Sequence, residues 1–313
     1  MKKIILIFTF LFSSLLADPF LGVNVEGINI TKKTMQDVEE ETGFLPGFVN
    51  FFIGWPQGDE FSFPKDALSS IWEMGAVPCI TWEPMSYNKE IAFFEEILLG
   101  KYDEYLLFFS KELKNWNKPV VIRFAHEMNL ASYHWGVSSK DYNENYPILY
   151  KKTFQYLSLF LKEQGVENAL IAFCPNAESV PRSSWNSLQN YYPGDKYVDI
   201  LGLDGYSFDG KRSFKEIFAA PFEELKKINS QKPFFIFETA SSDNGKRKIW
   251  IEEALKTAAS WKITALLWFQ INKEKNWKIK KNEREVFANI KSSSPQKWIK
   301  EAVYEKRRSS KKY

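Results

Sequence analysis

Eight times between residues 22 and 270 a short, largely apolar run gives way to a longer amphipathic or polar stretch, and this beat narrows the possible folds more than any other feature. The runs fall at 22–27 (GVNVEG), 47–55, 76–84, 119–129 (PVVIRFAHEMN), 169–176, 198–206, 233–241 and 263–270. Most are apolar on both faces, as parallel strands covered on both sides must be. The stretches 64–74, 142–164, 213–229 and 247–261 carry helical periodicity between them. Strands alternating with helices in this number predict an α/β chain folded as a (β/α)8 TIM barrel, one domain over residues 18–300. A doubly wound open sheet has a similar beat. It usually carries a glycine-rich phosphate loop after its first strand, and none follows here. No Pro-, Gly- or Ser-rich linker splits the chain.

The opening MKKIILIFTFLFSSLLA has two lysines, an apolar core and a small residue at Ala17. It reads as a signal peptide, residues 1–17, that exports the protein to the periplasm or outside the cell. The apolar core is short for a membrane span, which needs about 20 residues; an uncleaved anchor is the other reading. After cleavage no stable membrane span is expected. Cys79 and Cys174 lie in two separate strand-like runs and are expected as buried free thiols, although an exported protein can pair them. The closing EKRRSSKKY, within 301–313, is expected to be a solvated basic tail. A formal charge of +3 is too small to imply a nucleic-acid partner.

Polar residues collect where the runs end. Glu26 closes the first, Trp82 and Glu83 the third, His126, Glu127 and Asn129 the fourth. Asn176 closes the fifth, Asp204 and Tyr206 the sixth, Glu238 the seventh, Trp268 and Gln270 the eighth. Barrel enzymes keep their chemistry at the C-terminal strand ends, so one rim of this barrel is the expected site. Any one such residue can be a cap or loop anchor; their concentration at one end points to function.

With two histidines in the chain, a His-rich metal centre is nearly impossible; oxygen-only binding by Asp and Glu is weakly indicated, and no metal or cofactor is expected. A Ser-His-Asp triad lacks its G-x-S-x-G elbow. Paired carboxylates beside aromatic rings remain, the equipment of glycoside hydrolysis: one acid protonates the departing oxygen, and the other carboxylate attacks the sugar or activates water. Aromatics make up 17% of the chain, and they either fill a core or offer flat faces to a ligand. Glu127 and Glu238 form the best pair, expected across the barrel mouth at about 5–5.5 Å, the spacing for retention of configuration. Arg123, four residues before Glu127, is expected on the same side of its strand. It enters the interior either to anchor carboxylates or as a buried ion pair without a catalytic part.

RFAHEMN followed by HWG, then LDGY and FETAS, together resemble the glycoside hydrolases of family 26, over most of the chain after residue 17. The resemblance implies a retaining β-glycosidase with Glu127 as acid/base and Glu238 as nucleophile. By the same resemblance His126 contacts substrate or nucleophile, Tyr206 orients Glu238 and Asp204 supports the site. Trp268 is implied as the platform beneath the cleaved sugar, with Trp135 near the leaving group. Asn129 and Asn176 are expected as supporting residues, and Trp82 and Glu83 as substrate contacts. Two positions depart from the mannanases of that family: Ser132 stands where they often have Trp, and Glu83 where a His often follows Trp. Both touch recognition and leave the catalytic pair intact. The expected function is therefore endo-hydrolysis of a β-1,4-linked polysaccharide, β-mannan first, by a monomer whose partner is that polysaccharide. β-1,3-1,4-Glucan and β-1,3-xylan stay open as substrates, as does a carbohydrate-binding barrel without catalysis.

Overall fold

Eight parallel strands close on themselves in sequence order in the computed structural model, which describes residues 18–56, 60–85, 92–288, 290 and 294–310. They are β1 (Phe20–Asn24), β2 (Phe48–Gly54), β3 (Val77–Glu83), β4 (Val120–Phe124), β5 (Ala169–Phe173), β6 (Ile200–Ser207), β7 (Phe234–Ser241) and β8 (Ala265–Phe269). Helices α1 (Lys32–Thr42), α2 (Lys65–Glu73), α3 (Phe94–Leu98), α4 (Asp103–Trp116), α5 (Tyr146–Glu163), α6 (Leu188–Tyr191), α7 (Phe214–Ile228), α8 (Arg247–Ser260) and α9 (Pro295–Ser310) accompany them. The (β/α)8 expectation holds, and the four expected helices lie within a few residues of α2, α5, α7 and α8. The start of α7 shows why: Ser213 accepts from the Glu216 amide at 3.2 Å, while the Glu216 carboxylate accepts from the Ser213 amide at 2.7 Å. The expected signal segment, residues 1–17, lies outside the described residues. Among the described residues no helix is long and apolar enough to cross a membrane.

Side chains alternate between two apolar regions, which is why the strands are apolar on both faces. Phe20, Phe48, Val77, Cys79, Val121, Leu170, Phe235, Phe237 and Leu267 pack inside the barrel. Ile80, Trp82, Ile122, Leu266 and Trp268 pack outward against the helices.

The end of the chain corrects an expectation. Residues 301–310 continue helix α9, so a boundary at 300 falls inside a helix, and this segment is not a frayed tail. Ile299 and Val303 are buried in the interior cluster, and the Trp298 ring lies 5.7 to 6.1 Å from those of Phe20, Phe48 and Phe235. Lys306 pairs with Asp199 at 2.6 Å. The lysines and arginines hide an amphipathic helix that closes the N-terminal end of the barrel; their long stems leave the charges in water while apolar neighbours are buried.

The fourth expected strand also ends early. β4 stops at Phe124, because Ala125 (φ 41°) and Glu127 (φ 51°) take left-handed backbone conformations. Each costs a non-glycine residue about 1–3 kcal/mol, and such strain persists only where surrounding contacts impose it. Nearby, Gly136 (φ +66°) has no room for a side chain: a Cβ would lie 2.0 Å from the Phe94 ring. Its carbonyl accepts from the Phe94 amide at 2.9 Å. Gly136→Ala is expected to destabilise the protein by about 2–4 kcal/mol, combining φ strain with overpacking. Chemical denaturation would show it as a lower midpoint at unchanged slope.

Candidate active site

Arg123 projects from β4 into the barrel, fully buried, and its guanidinium organises the floor of the mouth. It ion-pairs with Asp204 of β6 at 2.5 Å and with Glu238 of β7, and it donates to Thr81 Oγ1 from Nε at 2.9 Å and from Nη2 at 2.7 Å. The Phe52 and Phe237 rings flank it at 5.7 and 5.3 Å. Cys174, a buried free thiol, donates to Asp204 Oδ1 at 3.3 Å.

Simple alternation would point Glu238 the wrong way. Phe235 and Phe237 both face the interior, so the next residue would leave it. A bulge at Phe237 supplies the missing step: Leu203 pairs with Ile236, but Asp204 pairs with Glu238. The extra residue re-aims Glu238 inward, a recurrent use of bulges beside active sites. There its two oxygens accept from Arg123 and from the Tyr206 hydroxyl. Tyr206 is thus in place to orient Glu238, and Asp204 grips the same guanidinium.

Glu127 stands in a different environment. It is 5% exposed, and Asn176 Nδ2 donates to its Oε1 at 2.6 Å. Burial, with the Glu238 charge adding to it, pushes the Glu127 carboxyl up to about 8. Asn129 anchors Asn176: its Oδ1 accepts from the Asn176 amide at 2.8 Å, and its Nδ2 donates to the Asn176 carbonyl at 2.9 Å. Both asparagines therefore support Glu127. Burial and Arg123 hold His126 well below the usual imidazole range, so its ring is neutral; Nε2 lies 3.9 Å from Glu238 Oε1. Glu83 faces the same side of β3 as Thr81, and burial pushes it up to about 7 while Arg123 pulls it down.

His126, Asp204 and Glu238 bring ligand atoms within 4.8 Å of one another, as a metal site would. Arg123 already bridges the two carboxylates, and a divalent cation would be set against that fixed charge. The arrangement suits carboxylate chemistry better than metal binding.

Three expected substrate contacts are not brought to the cleft. Trp82 points outward, stacked on Phe109 of α4 at 4.5 Å, with its indole N–H donating to the Tyr105 hydroxyl at 2.8 Å. Trp268 also points outward, against Trp250 of α8, and donates to the Trp277 carbonyl at 2.9 Å. Trp135 is 1% exposed and donates to the His126 carbonyl, so it backs the site from behind. The ring stacked on it at 4.9 Å, Tyr133, is half-buried and feels the charges of Glu127, Glu238, Glu83 and Asp204. Phe52 and Phe269 line the mouth beside His126 and Tyr206. Sequence reading passed over these three, although Phe269 shares the parity of Leu267 and Phe52 that of Phe48. Glu26 is exposed beyond β1, and Gln270 is tied to Glu41 and Ile279.

Residues 97–292 match the family described as Glycosyl hydrolase family 26. Endoglucanase H of Acetivibrio thermocellus is 30% identical over 265 residues, covering 81% of this chain and 28% of that protein. Mannan endo-1,4-beta-mannosidase of Bacillus subtilis is 32% identical over 139 residues, 42% of this chain and 34% of that one. The chain thus spans only 28% and 34% of the lengths of these curated relatives. Among solved structures, a Bacillus subtilis mannanase superposes with a TM-score of 0.65 at 20% identity, over 87% of this chain and 85% of its own. A family 26 beta-mannanase from Bacteroides ovatus gives 0.64 at 20% identity, over 89% of each chain. At such identity these structures establish the shared fold.

Proposed function

Because the chain belongs to glycosyl hydrolase family 26, we propose that it is an exported, retaining endo-β-glycosidase that cleaves a β-1,4-linked polysaccharide, β-mannan first, by double displacement. One observation carries this reading: two glutamates share one buried mouth in opposite environments. Burial favours the protonated form of Glu127, while the two oxygens of Glu238 accept from Arg123 and from the Tyr206 hydroxyl.

In the first step a Glu238 oxygen bonds to the anomeric carbon as the glycosidic C–O bond breaks, and Glu127 gives its proton to the departing oxygen. Glu127, now ionised, then takes a proton from water. The water oxygen bonds to the anomeric carbon, the Glu238–sugar bond breaks, and both glutamates return to their starting states. The neutral His126 fills the wall beside Glu238 without adding a charge. Tyr133, Phe52 and Phe269 offer rings to the sugar where the expected tryptophans do not.

Mannan leads because relatives named mannan endo-1,4-beta-mannosidase match the chain. Glucan is the second reading, favoured by the 81% of the chain that aligns with Endoglucanase H and by Glu83 at a position where mannanases often have His. Reducing ends released from mannan, glucomannan, lichenan and β-1,3-xylan decide between them, and release from none would overturn the hydrolase reading. Activity is expected to fall on the alkaline side near pH 8 as Glu127 loses its proton. Glu127→Ala should lower polysaccharide turnover by about 10²–10⁴-fold and abolish that limb. It should largely spare formation of the glycosyl-enzyme from 2,4-dinitrophenyl glycosides, whose leaving group needs no proton.

A further inference from the structure

Inside the barrel a chain of hydrogen bonds leaves the Glu238 carboxylate and returns to the backbone carbonyl of the residue before it. Arg123 Nη2 donates to Glu238 Oε1, and its Nε and Nη2 donate to Thr81 Oγ1. The Thr81 hydroxyl donates to Asn50 Oδ1 at 2.9 Å, and Asn50 Nδ2 donates to Asn24 Oδ1 at 2.7 Å. Asn24 Nδ2 donates to the Phe237 carbonyl at 2.8 Å. Asn24, Asn50, Thr81 and Arg123 are all 0% exposed, and they come from four consecutive strands, β1 to β4.

Two features separate this from ordinary interior polarity. First, every donor from Arg123 onward points the same way, so the guanidinium charge polarises each bond in turn. Second, the circuit ends on the extra residue of the bulge. A bulge leaves its extra residue unpaired in the strand ladder, and Asn24 supplies a partner to that residue's carbonyl. An unpaired carbonyl here would be costly, so Asn24 favours the bulged register, the register that turns Glu238 inward. At the other end Thr81 fixes the fork of Arg123 by accepting two of its N–H groups.

We propose that Thr81, Asn50 and Asn24 are positioning residues for Glu238: with Arg123 they form one circuit that fixes both the carboxylate and the backbone bulge that aims it. The proposal rests on the reading of Glu238 as nucleophile. All three are fully buried beneath the mouth, out of reach of a sugar in it. Their effect falls on both transition states of Glu238, the one that forms its bond to the sugar and the one that breaks it, so kcat registers it whichever step limits; a displacement of about 1 Å there costs up to 10²-fold.

The test compares wild type, Thr81→Val and Thr81→Ser on 2,4-dinitrophenyl β-mannobioside and β-cellobioside, whose cleavage reports on the nucleophile without needing the proton from Glu127. Thr81→Val keeps the shape and removes the hydroxyl. Its kcat is expected to fall about 10- to 100-fold with KM within about threefold, while Thr81→Ser stays within about threefold of wild type in both. A folded Thr81→Val with wild-type kcat would overturn the circuit, and so would a Thr81→Ser as slow as the valine variant, since packing would then explain both. Should Thr81→Val not fold, Asn24→Ser cuts the circuit at its far end. A loss of kcat at constant KM supports the proposal, and unchanged kinetics sink it. Glu238→Ala is measured alongside. If it is inactive while Thr81→Val is normal, only the circuit falls. If it retains turnover, or if wild type cleaves neither glycoside nor any of the four polysaccharides, the nucleophile reading falls and takes the circuit with it.

Discussion

Replacing Glu238 by alanine is expected to remove about 10⁵-fold or more of the turnover number on the best polysaccharide, the largest kinetic effect of any single substitution in this chain. On the double displacement proposed above, the loss is that large because covalent catalysis has no substitute in the site. Glu127 is placed to exchange a proton, and the Arg123–Asp204 pair lies on the floor. The fold should survive, since Arg123 keeps Asp204 and Thr81 as partners once Glu238 is gone. The truncated side chain also leaves a space beside the anomeric carbon that a small anion can enter. Azide is therefore expected to restore part of the activity of Glu238→Ala toward dinitrophenyl glycosides, giving a glycosyl azide of inverted, α configuration that NMR identifies. More than about 1% of residual turnover without azide, in a correctly folded variant, would rule out a covalent role for Glu238.

Much of this was legible in the chain, and what was not has physical causes. The eight apolar runs gave the barrel because parallel strands sealed between core and helices leave a composition that helices and hairpins do not. The same sealing hid which parity faces inward. In β8, Leu267 and Trp268 are equally apolar, so nothing in the run contradicts the sugar platform that the family resemblance implies at Trp268, although that ring packs under α8. Trp82 misleads for the same reason. Glu127 and Glu238 stand out as a candidate pair by type and place, yet strict alternation cannot aim either at the mouth. One depends on left-handed backbone at Ala125 and at Glu127 itself, the other on a bulge at Phe237. Both are local irregularities bought by tertiary contacts, and no residue pattern announces them. Asn24, Asn50 and Thr81 were missed because single polar residues inside apolar runs carry no period; their meaning appears only when four strands set them side by side. The basic tail was misread because its charged residues outnumber Ile299 and Val303, although those two face the barrel.

Arg123→Met is expected to cause the largest loss of stability, about 3–5 kcal/mol near neutral pH, because it breaks a buried ion pair by removing one partner. Methionine matches the stem of arginine but cannot answer Asp204 and Glu238, which would face each other across the interior without a counter-charge. Burial already pushes the Asp204 carboxyl upward against the pull of Arg123, with Glu238 pushing the same way. Without the guanidinium it must rise further. A carboxyl whose folded value lies above its unfolded value of about 3.9 makes the folded state bind more protons than the unfolded one. Stability then falls as pH climbs from the unfolded value toward the folded one. The deficit of Arg123→Met relative to wild type should therefore be smaller at pH 5 than at pH 8, in thermal or denaturant unfolding followed at both. Arg123→Lys keeps a charge but loses the planar fork that reaches Asp204, Glu238 and Thr81 together, so it should recover part of the stability and little of the activity. An equal deficit for Arg123→Met at both pH values would mean that the packing of the side chain, whose guanidinium lies between Phe52 and Phe237, matters and its charge does not. In that case the electrostatic account of the site floor, and of how Glu238 is held, would be wrong.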